Sequence, residues 1–411
     1  MGAQGFKKDF IYDLLSKEEK IKRGITDDTI VSLVDAILYS AINIGASDIH
    51  LEQNNNKMRV RYRVDGMLYD QNSIDFDNRL AVLSRLKILS SLDISEKRIP
   101  QDGKLRVKVS GSEPVDLRFS TFPSIYGEKM VIRILDREKN CLELESLGFN
   151  PKVLDEINGI IRRPHGFFLV TGPTGSGKTT TLYAILSKLN EASRNIVTME
   201  DPVEYDLSGI TQSQINPKAG FTFQKGLRSI LRQDPDIVMV GEIRDRQTAQ
   251  IAIEAALTGH LVLSTLHTND SASAITRLID MGVEPFLINA SVCAILAQRL
   301  VRKLCKHCKE EVEFGQAEQL KLKEKTFPIK KVFKPNGCDN CFNLGHKGRT
   351  GVFELLTIND GIRDLISKKA STSQICNHAI KDGMIVLLKD AIDKVKNGIV
   401  SIEEVLRIIC D

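Results

Sequence analysis

The segment from Gly172 to Thr179 constrains the fold of this chain more than any other. It reads Gly-Pro-Thr-Gly-Ser-Gly-Lys-Thr, follows the apolar run 167–170 and precedes a helical pattern over 180–189. A glycine-rich turn between a strand and a helix directs backbone N–H groups and the positive end of the helix at phosphate. A chance glycine turn is the alternative, but every position of the phosphate-binding pattern and both flanks are present. The sequence therefore predicts a nucleoside triphosphate site.

Within this loop we expect two side chains to have distinct tasks. Lys178 should reach the β- and γ-phosphates of ATP, and the Thr179 hydroxyl should bind the accompanying Mg²⁺. The predicted nucleotide-binding residues are contiguous and consist of Gly172, Pro173, Thr174, Gly175, Ser176, Gly177, Lys178, Thr179 and Thr180.

The composition is that of an ordinary globular protein. Hydrophobic residues make up 42% and charged residues 27% of the 411 positions, a length that suits two or three domains. The net charge of +4 does not by itself indicate a polyanionic partner. Neither a long apolar run nor the apolar core of a signal peptide is present. We therefore expect a cytoplasmic protein that reaches a membrane only through partners.

The first half of the chain predicts a small α+β domain after a short N-terminal segment, 1–25. A helical pattern begins near Thr26 and ends at Gly45. Apolar and basic residues then alternate over 58–64 and 105–109, as in half-buried strands. The domain should extend over 26–145 and carry basic exposed faces.

The pattern of residues 146–300 predicts an α/β core that contains the phosphate loop. Their apolar strands do not alternate with polar residues and are separated by helical patterns, at 167–171, 195–199, 237–240 and 261–266. Such strands are typical of a parallel sheet covered on both faces. Further along, 310–331 resembles a solvated insertion, and 351–411 is mostly helical by pattern.

Three polar groups follow these strands and are candidates for catalysis. Glu204, in the acidic segment after 195–199, could orient or deprotonate the attacking water, although a helix-capping loop is the alternative. Glu242 takes the place of the aspartate that ends many Mg²⁺-binding strands, and its longer side chain suits contact through water. His267 follows the last strand and, with His260, indicates phosphate sensing, although such histidines are often structural.

Four cysteines predict a structural zinc site within a module at 301–350. Two Cys-x-x-Cys pairs are separated by a 29-residue spacer and would supply four thiolates, Cys305, Cys308, Cys338 and Cys341. Two disulfides are the alternative in a secreted protein, but a cytosolic chain keeps its thiols reduced.

The combined motifs resemble the secretion and type IV pilus assembly ATPases. The resemblance is carried by the phosphate loop and by Glu-Asp-Pro-Val-Glu, Gly-Glu-Ile-Arg-Asp and Gly-His-Leu-Val-Leu-Ser-Thr-Leu-His, and it extends over about 27–405. It implies a RecA-like motor domain, a PAS-like N-domain and a homohexamer. It also implies that Arg118 and Arg133 contact phosphate from the N-domain, although solvated strand arginines are the alternative. A tetracysteine zinc module is typical of the extension and secretion members.

The resemblance implies a motor that couples ATP hydrolysis to domain rotation and drives pilin or pseudopilin assembly. Its partners would be an inner-membrane platform protein and the cytoplasmic domain of an adaptor. A nucleic-acid translocase or DNA-uptake motor is the alternative, because Arg59, Arg61 and Arg63 form a basic face. The absence of Trp and the 6% aromatic content argue against a direct nucleic-acid partner. A nucleotide-gated scaffold that hardly hydrolyses ATP is a third possibility, which phosphate release would distinguish.

Overall fold

A computed structural model describes residues 11–14, 29–109, 113–135, 143–313 and 331–410. The chain divides into two compact units, 1–140 and 141–411. The expected helix start at Thr26, most of the predicted segment 1–25 and the centre of the predicted insertion lie outside the described residues. No helix within the described ranges is long and apolar enough to cross a bilayer.

In the part that the structure describes, the first unit combines a mixed sheet with two helices. Its helices are α1 (Thr29–Ile44) and α2 (Arg79–Leu89), and its strands are β1 (Ile11–Leu14), β2 (Asp48–Gln53), β3 (Lys57–Val64), β4 (Met67–Asp70), β5 (Ile74–Asp75), β6 (Gln101–Val109), β7 (Val115–Ser124) and β8 (Gly127–Leu135). The strand order is β1-β6-β7-β8-β2-β3-β4, with β5 beside β3. The β1–β6 pair is parallel and the other pairs are antiparallel. Strand β1 was not predicted.

Alternation along β3 shows how the helices cover one face of this sheet. Met58, Val60 and Tyr62 are buried, whereas Arg59 between them is exposed. The Tyr62 hydroxyl donates a hydrogen bond of 2.8 Å to the carbonyl of Ile37 in α1. The apolar residues therefore pack under the helices, and the opposite face carries the basic side chains expected from the sequence.

The second unit is built on a seven-stranded sheet. Its strands are β9 (Gly166–Thr171), β10 (Ile196–Glu200), β11 (Thr211–Gln214), β12 (Ile237–Val240), β13 (Leu261–Leu266), β14 (Val292–Leu304) and, after the hairpin β15 (Glu310–Glu313) with β16 (Lys331–Lys334), β17 (His346–Thr357). The order is β11-β10-β12-β13-β9-β14-β17, and all pairs are parallel except β14 with β17.

Helices cover both faces of this sheet. They are α3 (Pro151–Ile161), α4 (Lys178–Leu189), α5 (Phe223–Ile230), α6 (Arg246–Leu257), α7 (Ser271–Asp280), α8 (Pro285–Ser291), α9 (Asp360–Ser367), α10 (Thr372–Lys381), α11 (Leu387–Lys396) and α12 (Ile402–Cys410). Helices α3 and α4 share one apolar core with the sheet, and α5 to α10 share the core on its other face. This arrangement confirms the predicted α/β class, because strands buried on both faces have no polar side to alternate.

Strands β14 and β17 were not predicted. The expected domain limits at 300/301 and 350/351 fall inside these two strands, so the cysteine pairs are attached to the main sheet. Helices α11 and α12 form a third core with the far part of this strand pair. Glu404 of α12 fixes that packing, because its carboxylate accepts hydrogen bonds from the Arg302 backbone N at 3.0 Å, from the Arg302 side chain at 2.7 and 3.0 Å, and from Arg407 at 3.0 Å.

Candidate nucleotide and metal sites

The predicted phosphate loop connects β9 directly to α4. The backbone has φ of +79° at Gly175 and +86° at Gly177, a left-handed conformation that favours glycine. Residues 173–175 are exposed at the tip of the loop, whereas Ser176 and Lys178 are buried beneath it. The Ser176 hydroxyl oxygen has no hydrogen-bond partner among the described residues. A glycine-rich loop with a buried, unpaired hydroxyl next to a helix N-terminus suits a bound phosphate.

Lys178 lies buried at the start of α4. Its Nζ donates hydrogen bonds to the carbonyls of Gly172 at 2.8 Å and Pro173 at 3.1 Å. The pKa of Lys178 is lowered to about 8, chiefly by burial; the charge of Glu242 opposes this shift, and the charge of Arg299 adds to it. Because an anion would favour the charged form of this ammonium, the site fits the β- and γ-phosphates of ATP.

Glu242 brings the ends of three parallel strands together. Its carboxylate lies 2.5 Å from Nη2 of Arg244 and 3.5 Å from Nε2 of His267, and Arg244 also lies 4.0 Å from Asp201. Burial and the ammonium of Lys178 lower the pKa of His267, although Glu242 acts in the opposite direction. These effects favour the neutral form of His267, and the carboxylate of Glu242 faces the cations of the site. Such an oxygen ligand suits a hydrated Mg²⁺.

Hydroxyl groups hold the strand ends in place. Thr265 donates to the carbonyl of Gly241 at 2.7 Å, and the hydroxyls of Thr171 and Thr268 lie 2.7 Å apart. Sequence reasoning missed these threonines. Their only signal is a polar residue at the end of an apolar strand, which is too common to identify a role.

The two glutamates after β10 have different environments. Glu200 is buried, accepts a hydrogen bond from the Tyr183 hydroxyl and lies 3.2 Å from Nε2 of Gln212. Glu204 is exposed, and its backbone N donates to the Tyr183 oxygen at 3.4 Å. Tyr183 therefore links α4 to the segment that carries Glu204. Among the described residues, the ion pairs of Glu242 with Arg244 and His267 do not extend to Glu204.

His260 does not belong to this cluster. It precedes β13, so the six residues Leu261–Leu266 separate it from His267 at the other edge of the sheet. Its Nδ1 lies 2.9 Å from the carbonyl of Ala255 at the end of α6. The expectation that both histidines sense phosphate is therefore wrong for His260, because the two ends of one strand lie at opposite edges of the sheet.

Arg118 and Arg133 are cross-strand neighbours on the exposed face of the first unit. They line, with Lys104 across from Arg118, a cavity of about 630 Å³. Arg133 also contacts the carboxylate of Asp48 at 3.2 Å. Two adjacent guanidinium groups on an open face could bind phosphate, which is the role implied by the resemblance.

The four cysteines predicted to bind zinc converge. Their sulfur atoms all lie within 4.8 Å of one another, and three of the separations are 3.8 Å. A tetrahedral zinc site with bonds of about 2.3 Å has sulfur separations of about 3.8 Å. Backbone N–H groups of Gly337, Cys338 and Gly345 point at the sulfurs of Cys308 and Cys341. Although burial opposes it, the N–H groups of Cys338 and Gly345 help to lower the pKa of Cys341 to about 7. The donor set therefore fits a closed, structural Zn²⁺ site.

Comparisons with known proteins agree with this arrangement. Residues 25–407 match the family of type II/IV secretion system proteins. The chain is 48% identical over 396 residues to the type II secretion system ATPase E of Vibrio cholerae, which covers 96% of this chain and 78% of the relative. It is 45% identical over 401 residues to the type IV pilus assembly ATPase PilB of Thermus thermophilus, covering 97% of this chain and 45% of PilB.

Solved structures share the fold. The ATPase DotB of Legionella pneumophila aligns with a TM-score of 0.68 at 21% identity, over 98% of this chain and 100% of DotB. The pilus retraction motor PilT, solved with bound ADP, aligns with a TM-score of 0.59 at 25% identity, over 92% of this chain and 96% of PilT. The family resemblance and the fold predicted from the sequence are both confirmed.

Proposed function

The chain belongs to the type II/IV secretion system protein family, and from this membership we propose that it is the ATP-hydrolysing motor of a type II secretion or type IV pilus assembly system. The observation that carries the proposal is the complete phosphate loop beside Glu242, in a chain similar along almost its whole length to ATPases of both systems. The proposed reaction converts ATP and water to ADP and phosphate.

The side chains divide the work of hydrolysis. Loop N–H groups and Lys178 bind the phosphates, and a Mg²⁺ ion would neutralise charge that develops on them. Glu242 and Thr179 would hold the hydrated metal. Glu204 would accept a proton from the attacking water, and its exposed carboxylate is accessible to solvent for that task. His267, whose lowered pKa favours the neutral imidazole, could donate a hydrogen bond to a phosphate oxygen without adding charge.

The mechanical part of the proposal concerns domain rotation within a homohexamer. Arg118 and Arg133 would close on the γ-phosphate and release it after hydrolysis, so that each cycle rotates the N-domain. The rotation would act in the cytoplasm on an inner-membrane platform protein and on the cytoplasmic domain of an adaptor. Similarity to secretion and pilus ATPases supports this transport function over the nucleic-acid translocase considered above.

Genetic complementation with two readouts tests the proposal. In a host that lacks its own ATPase of this family, the wild-type gene should restore secretion or pilus assembly, whereas Lys178→Ala should not. Purified protein should hydrolyse ATP at a rate that single-stranded DNA does not raise. Stimulation by DNA without restored secretion or pili would favour the translocase.

A further inference from the structure

We propose that Gln298, in β14, is a positioning residue that holds the phosphate loop in its binding shape. The proposal rests on the nucleotide site described above and concerns a residue that touches neither phosphate nor metal. Gln298 is buried, with 2% of its surface exposed. It lies on the strand next to β9, the strand from which the loop begins.

The Gln298 side chain connects the loop to the first turn of α4. Its Nε2 donates a hydrogen bond of 2.7 Å to the backbone carbonyl of Ser176, and its Oε1 accepts one of 2.8 Å from the Thr181 hydroxyl. The carbonyl can only accept, so the orientation of the amide is fixed. One buried side chain therefore ties the last part of the loop to the helix that follows it.

The loop also packs closely against the backbone of residue 298. A Cβ atom at Gly172 would lie 2.5 Å from the Gln298 carbonyl oxygen, and one at Gly177 would lie 3.3 Å from Gln298 Nε2. The first and last glycines of the loop thus both face this residue. Glycine is required at position 172 because the neighbouring atom is backbone and cannot move aside.

The hydrogen bond to Ser176 determines where the next N–H group points. In a planar trans peptide the C=O and the N–H point in opposite directions. Because Gln298 holds the Ser176 carbonyl on its own side, the Gly177 N–H is directed away from β14. Glycine tolerates either orientation of the preceding peptide, so without this bond the Ser176–Gly177 peptide could turn over and present a carbonyl oxygen to the phosphate. The proposed task of Gln298 is to prevent that.

The next residue along β14, Arg299, does not share this role because it lies on the other face of the strand. Arg299 points to the opposite face, where it donates to the backbone carbonyl of Asn269 at 3.0 Å. Leu296 lies on the same face as Gln298 and packs in the apolar core shared with α4. Leu296 therefore offers a matched control for packing without the hydrogen bonds.

The test is a direct binding measurement on the full chain. Gln298→Met keeps the length of the side chain and removes both hydrogen bonds. We expect its dissociation constant for Mg-ADP, measured by isothermal titration calorimetry, to rise about fivefold to tenfold, the effect of about one lost hydrogen bond. The kcat at saturating ATP should stay within about twofold of wild type while KM rises, because the loop binds ground state and transition state alike. Leu296→Met should leave ADP affinity unchanged.

Variants at Thr181 show whether ADP affinity depends on general packing or on the bridge, that is, on the hydrogen bonds by which Gln298 joins Ser176 to Thr181. Thr181→Ser keeps the hydroxyl and should bind ADP as wild type does, whereas Thr181→Val should lose part of the affinity. If the two residues act through one bridge, the double variant Gln298→Met/Thr181→Val should bind about as weakly as Gln298→Met alone. If circular dichroism shows that Gln298→Met is poorly folded, the two single Thr181 variants still test whether the hydrogen bond between Thr181 and Gln298 contributes to ADP affinity.

The possible outcomes distinguish failure of the proposed function from failure of the positioning role of Gln298. Wild-type protein that fails to bind ADP would remove the proposed function itself. A wild type that binds ADP, together with a folded Gln298→Met that binds equally well, would overturn the positioning role. Equal losses in Gln298→Met and Leu296→Met, or fully additive effects at positions 181 and 298, would also overturn it, since packing rather than the bridge would then set affinity.

Discussion

Replacing Cys338 by serine should release the zinc ion that the four-cysteine cluster is shaped to hold. Three sulfur separations of 3.8 Å equal the edge of a zinc–thiolate tetrahedron with bonds of about 2.3 Å, so these three pairs already have the spacing that zinc binding requires. A disulfide would bring each pair to about 2.05 Å, an approach of nearly 2 Å. Structural zinc contributes about 10–16 kcal/mol of apparent free energy in small isolated modules. Here β14 and β17 keep their own pairing, so we expect the loss to remain local.

Elemental analysis and limited proteolysis measure both parts of this prediction. Wild-type protein purified under reducing conditions should contain about one zinc per chain, and Cys338→Ser should contain almost none. Protease should then cut faster between residues 305 and 345, while ADP affinity stays within about twofold. Cys376→Ser, a half-buried cysteine outside the cluster, is the matched control. A wild type without zinc, a disulfide within the cluster, or equal zinc loss in the control would refute the reasoning.

Three further predictions concern other charged groups. Glu204→Gln should bind Mg-ATP normally but hydrolyse it about 100-fold more slowly. Glu242→Gln should instead first raise the Mg²⁺ concentration needed for half-maximal activity. The reverse result would exchange the roles of the two glutamates. Arg118→Ala or Arg133→Ala should lower kcat far more than ATP affinity, and equal losses would make these arginines structural. Burial opposes ionisation of Glu404, but hydrogen bonds from two arginines lower its pKa from 4.5 to about 2. Its stabilisation, at most about 3 kcal/mol, is present above pH 4.5 and lost as pH falls to 2. Glu404→Gln should therefore lower Tm at pH 7 and match wild type near pH 2.

The sequence predicted the four buried strands β9, β10, β12 and β13 closely because their pattern has a single explanation. Strands 237–240 and 261–266 have the predicted bounds, β9 begins one residue earlier than predicted, and β10 is shifted by one residue at both ends. Unbroken apolar runs of four to six residues between helices leave few alternatives to a strand covered on both faces. The eight-residue phosphate motif then placed the nucleotide site on this sheet before any contact was known.

The supporting groups could not be predicted because they act across long sequence separations. Gln298 lies 122 residues from the Ser176 carbonyl that it binds, and β14 looked irregular because Arg299, Arg302 and Lys303 interrupt its apolar pattern. Tyr183 was an apolar position of a helix by pattern, yet its hydroxyl contacts Glu200. Such roles depend on which strand lies beside which, and that order is a property of the whole sheet.

The most direct test of the central claim is phosphate release from Mg-ATP by three proteins. They are wild type, Lys178→Ala and, as the control at an exposed lysine of the same helix, Lys188→Ala. Both lysines belong to α4, but only Lys178 is buried under the loop and bonded to its carbonyls. We expect wild type and Lys188→Ala to hydrolyse ATP at similar rates, and Lys178→Ala to be slower by about 100-fold or more, because it lacks the cation placed at the β- and γ-phosphates. Hydrolysis by Lys178→Ala at the wild-type rate would contradict the account.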